Sequence, residues 1–274
     1  MTGTPRRPRS VLRLLVALSI AFLAFPAASS ASPPTAASSF AAAPRLLPAW
    51  DGSIDLYRDG VFTTQKTWLW CTAAGIQIVR NIVERDDDHS TSGQRRYFDW
   101  MRTKNRYDLP ESAGVDPQGW TAGLRHFVDD RYRLVASRSF RAGLRSAVEN
   151  LRRTQLPVAL TVANGGHGWI LTGFAATADP LLTDDFEVTS VRVVGPLFGR
   201  QSKGGYDMPP NTKLTTDELR RFFTPWRYAP LAMVWDGRFV SIQPVAKDDS
   251  PPVAWVERAA RFVLELHEIT AQAR

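Results

Sequence analysis

The chain has 274 residues, of which 44% are hydrophobic and 22% are charged, and these values are ordinary for a globular protein. Its length allows one large domain or two small ones with a substantial core. The formal net charge is +7, but residues 1–31 hold four arginines and no acidic residue, so that the remainder carries +3. A charge of that size, with no dense Lys/Arg stripe, argues against a nucleic acid or a membrane surface as partner.

The first 31 residues have the pattern of a secretory signal peptide. Four arginines precede an apolar run over 14–25, and small residues then lead to a cleavage site at Ser29-Ser30-Ala31. The run is shorter than the roughly 20 residues that span a bilayer. We therefore expect a secreted or cell-envelope protein with no stable membrane span after cleavage; an uncleaved anchor is the alternative. Residues 32–49 are rich in Ser, Pro and Ala and are predicted to be a flexible lead-in.

The folded domain is expected over residues 50–274, and its first part, about 50–155, has a helical pattern. Apolar residues at helical spacing predict helices over 71–83, 94–102, 116–127 and 144–155. Alternating residues predict a strand over 132–137, and a short strand is expected within 54–63.

The pattern changes to β from about residue 156 to 245. Strands are predicted over 158–162, 168–174 and 186–194, and a hairpin over 233–240 around an Asp-Gly turn. Thr215 and Glu218 have capping-box spacing and open a short helix, and an amphipathic helix is predicted over 252–271. Helices first and strands later favour an α+β domain, with a helical half packed on an antiparallel β half.

Cys71 is the only cysteine, and it directly precedes a helical run. In an exported chain an odd cysteine is a reactive thiol, a buried inert one or an intermolecular link. The histidines show no metal-ligand spacing, so we expect neither a metal nor another cofactor. They are His89, His126, His167 and His267.

Three residues have the chemistry of a nucleophile, a base and an oxyanion donor. A thiol is nucleophilic as the thiolate, which a helix N-terminus such as that at Cys71 stabilises. His167 lies among glycines at the start of a predicted strand, as a base in an open cleft requires. Gln65, together with the backbone N–H of Cys71, could donate to an oxyanion. Taken singly, each of the three residues also has a purely structural interpretation.

The order of these residues resembles the papain-like cysteine proteases, in which Gln-x5-Cys opens a helix and a later His opens a strand. The Trp-Cys-x-Ala-Ala motif at 70–74 and the Gly-His-x5-Gly-Phe motif at 166–174 are most similar to the C39-like and AvrRpt2-like bacterial branches. The resemblance covers roughly residues 60–245. It implies a two-part fold with a cleft between the halves, a peptide or protein substrate, and catalytic roles for Cys71 (nucleophile), His167 (general base) and Gln65 (oxyanion donor).

Such proteases usually place an Asp or Asn near the end of the next strand to orient the imidazole. In an antiparallel pair, His167 should face the end of the strand that follows, where this chain has Gly195-Pro196. We therefore expect no orienting carboxylate or amide at that position. Asp179, Asp184 and Asp185 lie in the connection between the two strands, at its far end, and one of the last two could serve only in a different register.

The leading hypothesis is an exported papain-like cysteine peptidase that forms a thioester on Cys71. Gly195 motivates an alternative, a non-catalytic papain-like domain that binds a peptide or cell-wall partner. A cell-wall amidase of the NlpC/P60 kind also orders Cys before His, but it usually has Asp-Cys-Ser where this chain has Trp70-Cys71-Thr72. Neither the identity of the substrate nor the oligomeric state has a signal in the sequence.

Overall fold

A computed structural model of the chain describes residues 47–200, 207–228, 230 and 232–246. The predicted signal peptide, most of the lead-in and the helix over 252–271 lie outside these residues. The described part contains five α-helices and a seven-stranded sheet whose paired strands are antiparallel. The predicted α+β class is therefore confirmed. No helix in the described ranges is long and apolar enough to cross a membrane.

The predicted helices are present, but α2 begins three residues and α4 four residues before the predicted starts at 94 and 144. Side chains cap α2 to α5 at Ser90, Asp116, Ser139 and Thr215, and Thr215 forms the predicted capping box with Glu218. The helices are α1 (Cys71–Glu84), α2 (Thr91–Arg102), α3 (Pro117–Phe127), α4 (Phe140–Thr154) and α5 (Thr216–Arg220). Helix α1 differs from the others because no side chain caps its N-terminus.

The sheet has the strand order β2-β7-β3-β4-β5-β6, and β1 pairs with β4. The strands are β1 (Ser53–Asp55), β2 (Tyr132–Ser137), β3 (Val158–Val162), β4 (His167–Ala176), β5 (Val188–Val194), β6 (Thr212–Thr215) and β7 (Phe239–Pro244). The sequence pattern did not predict β6. The hairpin predicted over 233–240 is wrong in its first half, because the backbone N–H of Met233 donates to the Asp236 side chain and residues 234–237 form a turn.

Helices cover both faces of the sheet, which differs from the expected packing of one helical half on one β half. Successive residues of β3 point to opposite faces, so Leu160 packs in the cluster that contains α4 and Ala159 packs in the cluster that contains α1 and α3. On β4, Leu171 likewise packs in the cluster that contains α4, and Ile170 packs in the cluster that contains α1 and α3. Strand β2, although it lies in the helix-rich part of the sequence, pairs with β7 in this sheet.

A buried ion pair joins α4 to the connection between β4 and β5. The side chains of Arg152 and Asp179 are each 3% exposed, and the closest N–O distance is 2.9 Å. Arg152 also donates a hydrogen bond to the carbonyl of Pro48, so the pair holds the start of the described chain against α4. The carboxylate of Asp179 is therefore paired with Arg152 and is not a partner of His167.

Replacing Asp179 with Ala should lower the free energy of unfolding by about 3–5 kcal/mol, because the Arg152 guanidinium would stay buried without its anion. The matched control is Asp184→Ala in the same connection, where the side chain is exposed and the expected change is within about 0.5 kcal/mol. Urea unfolding of the two variants measures the difference. A loss below about 1 kcal/mol for Asp179→Ala would contradict the structural role of the pair.

Candidate active site

Cys71 and His167 line the same cleft, which has a volume of about 310 Å³. The loop before α3, the turn between β3 and β4, and residues 226–228 and 233 supply the other walls. The volume is at the lower end of the roughly 300–1,000 Å³ that is usual for ligand sites. Its larger apolar side chains are Leu69, Leu109, Val115, Trp120, Trp226 and Met233.

Cys71 is the first residue of α1 and is partly exposed to the cleft. The first-turn N–H groups of a helix have no partner within it, and here no side chain caps them. The small residues after Cys71 let this end of α1 pack closely on the sheet. A Cβ added at Gly75 would lie 3.2 Å from the side chains of both Ile170 and Trp120, so these side chains would have to shift by a few tenths of an ångström.

His167 is the first residue of β4, and its side chain is 5% exposed. Its Nε2 lies 2.9 Å from Oδ2 of Asp207, and the ring is also hydrogen-bonded to the Cys71 side chain. An ionised carboxylate only accepts hydrogen bonds, so Nε2 carries a proton and Nδ1 is the nitrogen left for Cys71. The imidazole therefore lies between a thiol and a carboxylate.

The Asp207 carboxylate lies next to His167, in the space beside Gly195 where the sequence predicted no acid. The carboxylate is fully buried, and it accepts hydrogen bonds from His167, from the indole N–H of Trp169 and from the backbone N–H of Leu197. A Cβ added at Gly195 would overlap this carboxylate. The expectation that no orienting acid would be present is therefore wrong: the acid comes from the connection between β5 and β6, and it fills the space that a side chain at 195 would need.

The expected pairing of β4 with β5 is correct, and that pairing explains the position of Gly195. Val194, the last residue of β5, pairs with Ile170, so the segment that begins at Gly195 continues toward the start of β4 where His167 lies. Asp207 was missed because it stands in an irregular stretch outside any predicted element. The signal for it in the sequence was Gly195 itself, since a glycine at that position leaves room for a group from another segment.

The pKa of His167 is raised to about 9 from the ordinary value near 6.5. Burial has the largest single effect and lowers the pKa, but the hydrogen bonds to Asp207 and Cys71 and the negative charges of both raise it by more. The imidazole is consequently protonated at neutral pH.

Gln65, the third predicted site residue, lies close in sequence to Cys71 but is not part of the cleft lining. The residue is 1% exposed, and its amide Nε2 donates to the carbonyl of Thr67. Its backbone N–H donates to the carbonyl of Pro196, next to Gly195. The structure thus brings Cys71 and His167 together. It places Gln65 outside the cleft lining, beside the segment 195–197 that contacts Asp207. Among the described residues, no cluster of acidic, His or Cys side chains could hold a metal ion.

Replacing Asp207 with Asn should lower the pKa of His167 from about 9 toward the ordinary value of about 6.5. The amide removes the negative charge that favours the imidazolium, so the ring loses its proton at a lower pH. An NMR titration of the His167 ring measures both values. A wild-type ring that titrates near 6.5 would contradict the contacts described for it.

The structure also predicts that an aspartate at position 195 can replace the carboxylate of Asp207. Gly195→Ala should disturb the carboxylate by overlap, and Asp207→Gly should remove it, so both should lower the pKa of His167. The double variant Gly195→Asp/Asp207→Gly should raise it again, since the new carboxylate would occupy the vacated space. A double variant that titrates like Asp207→Gly alone would show that the strand position cannot supply the acid.

Comparison of this chain with protein-family models, with curated proteins and with solved structures finds no match. The case for a function therefore depends on the residues of the cleft and their geometry.

Proposed function

We propose that this chain is a papain-like cysteine peptidase, exported through its N-terminal segment, that hydrolyses peptide bonds through a thioester on Cys71. The observation that carries the proposal is the buried imidazole of His167, held between the Cys71 side chain and the Asp207 carboxylate. A nucleophile, a base and a group that orients the base form the arrangement that is typical of covalent acyl transfer.

In the first half-reaction the Cys71 thiolate attacks the carbonyl carbon of the substrate, and the carbonyl π electrons move to its oxygen. The tetrahedral intermediate then collapses, the C–N bond breaks, and the His167 imidazolium gives its proton to the departing amine. The acyl group is left as a thioester on Cys71. Asp207 keeps the ring in one tautomer and one orientation throughout.

In the second half-reaction the neutral imidazole of His167 takes a proton from water, and the resulting hydroxide attacks the thioester carbon. The C–S bond breaks, the carboxylic acid leaves, and Cys71 returns as the thiolate beside the imidazolium. The uncapped first turn of α1 offers backbone N–H groups to the oxyanion in both steps. Gln65 as a further donor stays a prediction, because here its amide donates to Thr67.

The cleft suits a polypeptide with few charges at the scissile bond. Its walls are largely apolar, and the carboxylate of Asp116 is saturated by the backbone N–H groups of Arg106, Tyr107 and Gly119. Apart from His167, Arg227 is the charged side chain among the lining residues whose charge is not taken up in this way, and it is exposed. An apolar acyl segment fits these walls better than a strongly charged one.

The alternative of a non-catalytic binding domain was suggested by the lack of an acid at Gly195. The Asp207 carboxylate lies beside that residue, so this reason for the alternative no longer applies. Because Cys71 is the only cysteine, thiol labelling reports on the site alone. A Cys–His pair with an orienting acid also favours hydrolysis over simple binding, since binding alone does not require an activated thiol.

Iodoacetamide should alkylate Cys71 at about pH 6 at least 10-fold faster than it alkylates free cysteine, because a histidine that is hydrogen-bonded to a thiol activates it as a nucleophile. His167→Ala should reduce the rate to that of free cysteine, whereas His126→Ala, which alters an exposed histidine, should leave it unchanged.

The same protein is then incubated with a mixture of synthetic peptides, and the products are identified by mass spectrometry. The wild type should release fragments, and Cys71→Ser should release none. A thiol that reacts like free cysteine would refute the proposal. An activated thiol that cleaves no peptide would instead favour a different acyl substrate.

A further inference from the structure

Trp169 is a buried residue that the reaction steps above do not use. It lies two residues after His167 on β4, and because side chains alternate along a strand, both project from the same face. Trp169 is 0% exposed, and its ring packs against Phe222 with 4.8 Å between the ring centroids. A buried indole N–H needs an acceptor, and here that acceptor is Oδ1 of Asp207.

The two carboxylate oxygens of Asp207 have different partners. Oδ1 accepts from Trp169, whereas Oδ2 accepts from Leu197 and faces the His167 ring. The last torsion of an aspartate side chain has a broad, nearly two-fold profile, so the carboxylate plane has no strong preference of its own. Donors on both oxygens are what fix the plane. Without the indole N–H, one oxygen would be buried without a partner and the plane could rotate away from His167.

We propose that Trp169 is a positioning residue for the proposed reaction: its indole N–H fixes the carboxylate plane of Asp207 and, through it, the orientation of the His167 imidazole. The inference rests on the proposed function, since a fixed imidazole matters for acyl transfer. It assigns to the second residue after His167 a role that packing alone would not require, because Phe could fill much of the same apolar space.

The test replaces the indole of Trp169 with benzothiophene by incorporating 3-benzothienylalanine, which keeps the ring shape and exchanges N–H for sulfur. Loss of one hydrogen bond to a charged group corresponds to about 10-fold or more in rate. The rate constant for alkylation of Cys71 by iodoacetamide at about pH 6 should therefore fall by about 10-fold. The low-field proton NMR signal of the His167 Nε2–H should shift upfield or disappear.

Two further variants make the test specific. The same replacement at Trp235, a residue that is 4% exposed and is not part of the cleft lining, should change neither readout. Trp169→Phe should reproduce the effect of the benzothienyl variant if the missing N–H, rather than altered packing, is the cause.

The outcomes separate this inference from the proposed function. If wild-type Cys71 reacts like free cysteine, the proposed function fails and the inference fails with it. If the wild type is activated and the variant at 169 matches the control at 235 in both readouts, the inference alone fails. A slower alkylation with an unchanged His167 signal would also overturn it, because the effect would not then act through the imidazole.

Discussion

The candidate site depends on one buried carboxylate, that of Asp207, because three parts of the chain converge on it. Strand β4 supplies two donors, the backbone of Leu197 supplies a third, and Gly195 supplies the space. A carboxylate removed from water is costly unless its oxygens are hydrogen-bonded, so these segments stabilise one another. The loop after β5 is also hydrogen-bonded to residues 65–66, which lead into Cys71. Cys71, His167 and Asp207 are consequently parts of one hydrogen-bonded network.

Local signals in the sequence predicted much of the fold because they act over a few residues. The helical spacing over 116–127, the Thr215 capping box and the alternation over 132–137 each correspond to an observed element. Signals of longer range were absent. Helix α4 packs on the opposite face of the sheet from α1. This arrangement depends on the strand order, which is set by pairing between residues far apart in sequence. The hairpin over 233–240 was mispredicted because the Asp236 side chain binds the backbone of Met233 and closes a turn.

The candidate site was predictable in part for the same reason. Cys71 and His167 could be found because each begins an element, so that its local pattern marks it. Asp207 could not, since it approaches His167 from 40 residues later in an irregular segment. The position of such a residue is set by tertiary contacts, here the donors of β4 and the absence of a side chain at Gly195. Without Asp207, the sequence offered no carboxylate next to the His167 imidazole, which is what motivated the non-catalytic alternative.

The space left by Gly195 has a consequence for how chains of this kind are classified. A sequence comparison that looks for an acid at the end of the strand after the histidine strand would find none in this chain. The carboxylate is nevertheless present in space, and its origin in the loop is visible only in three dimensions. Glycine at that position is therefore ambiguous evidence of lost activity. Inactivation is better judged from whether any carboxylate, from whatever part of the chain, reaches the imidazole.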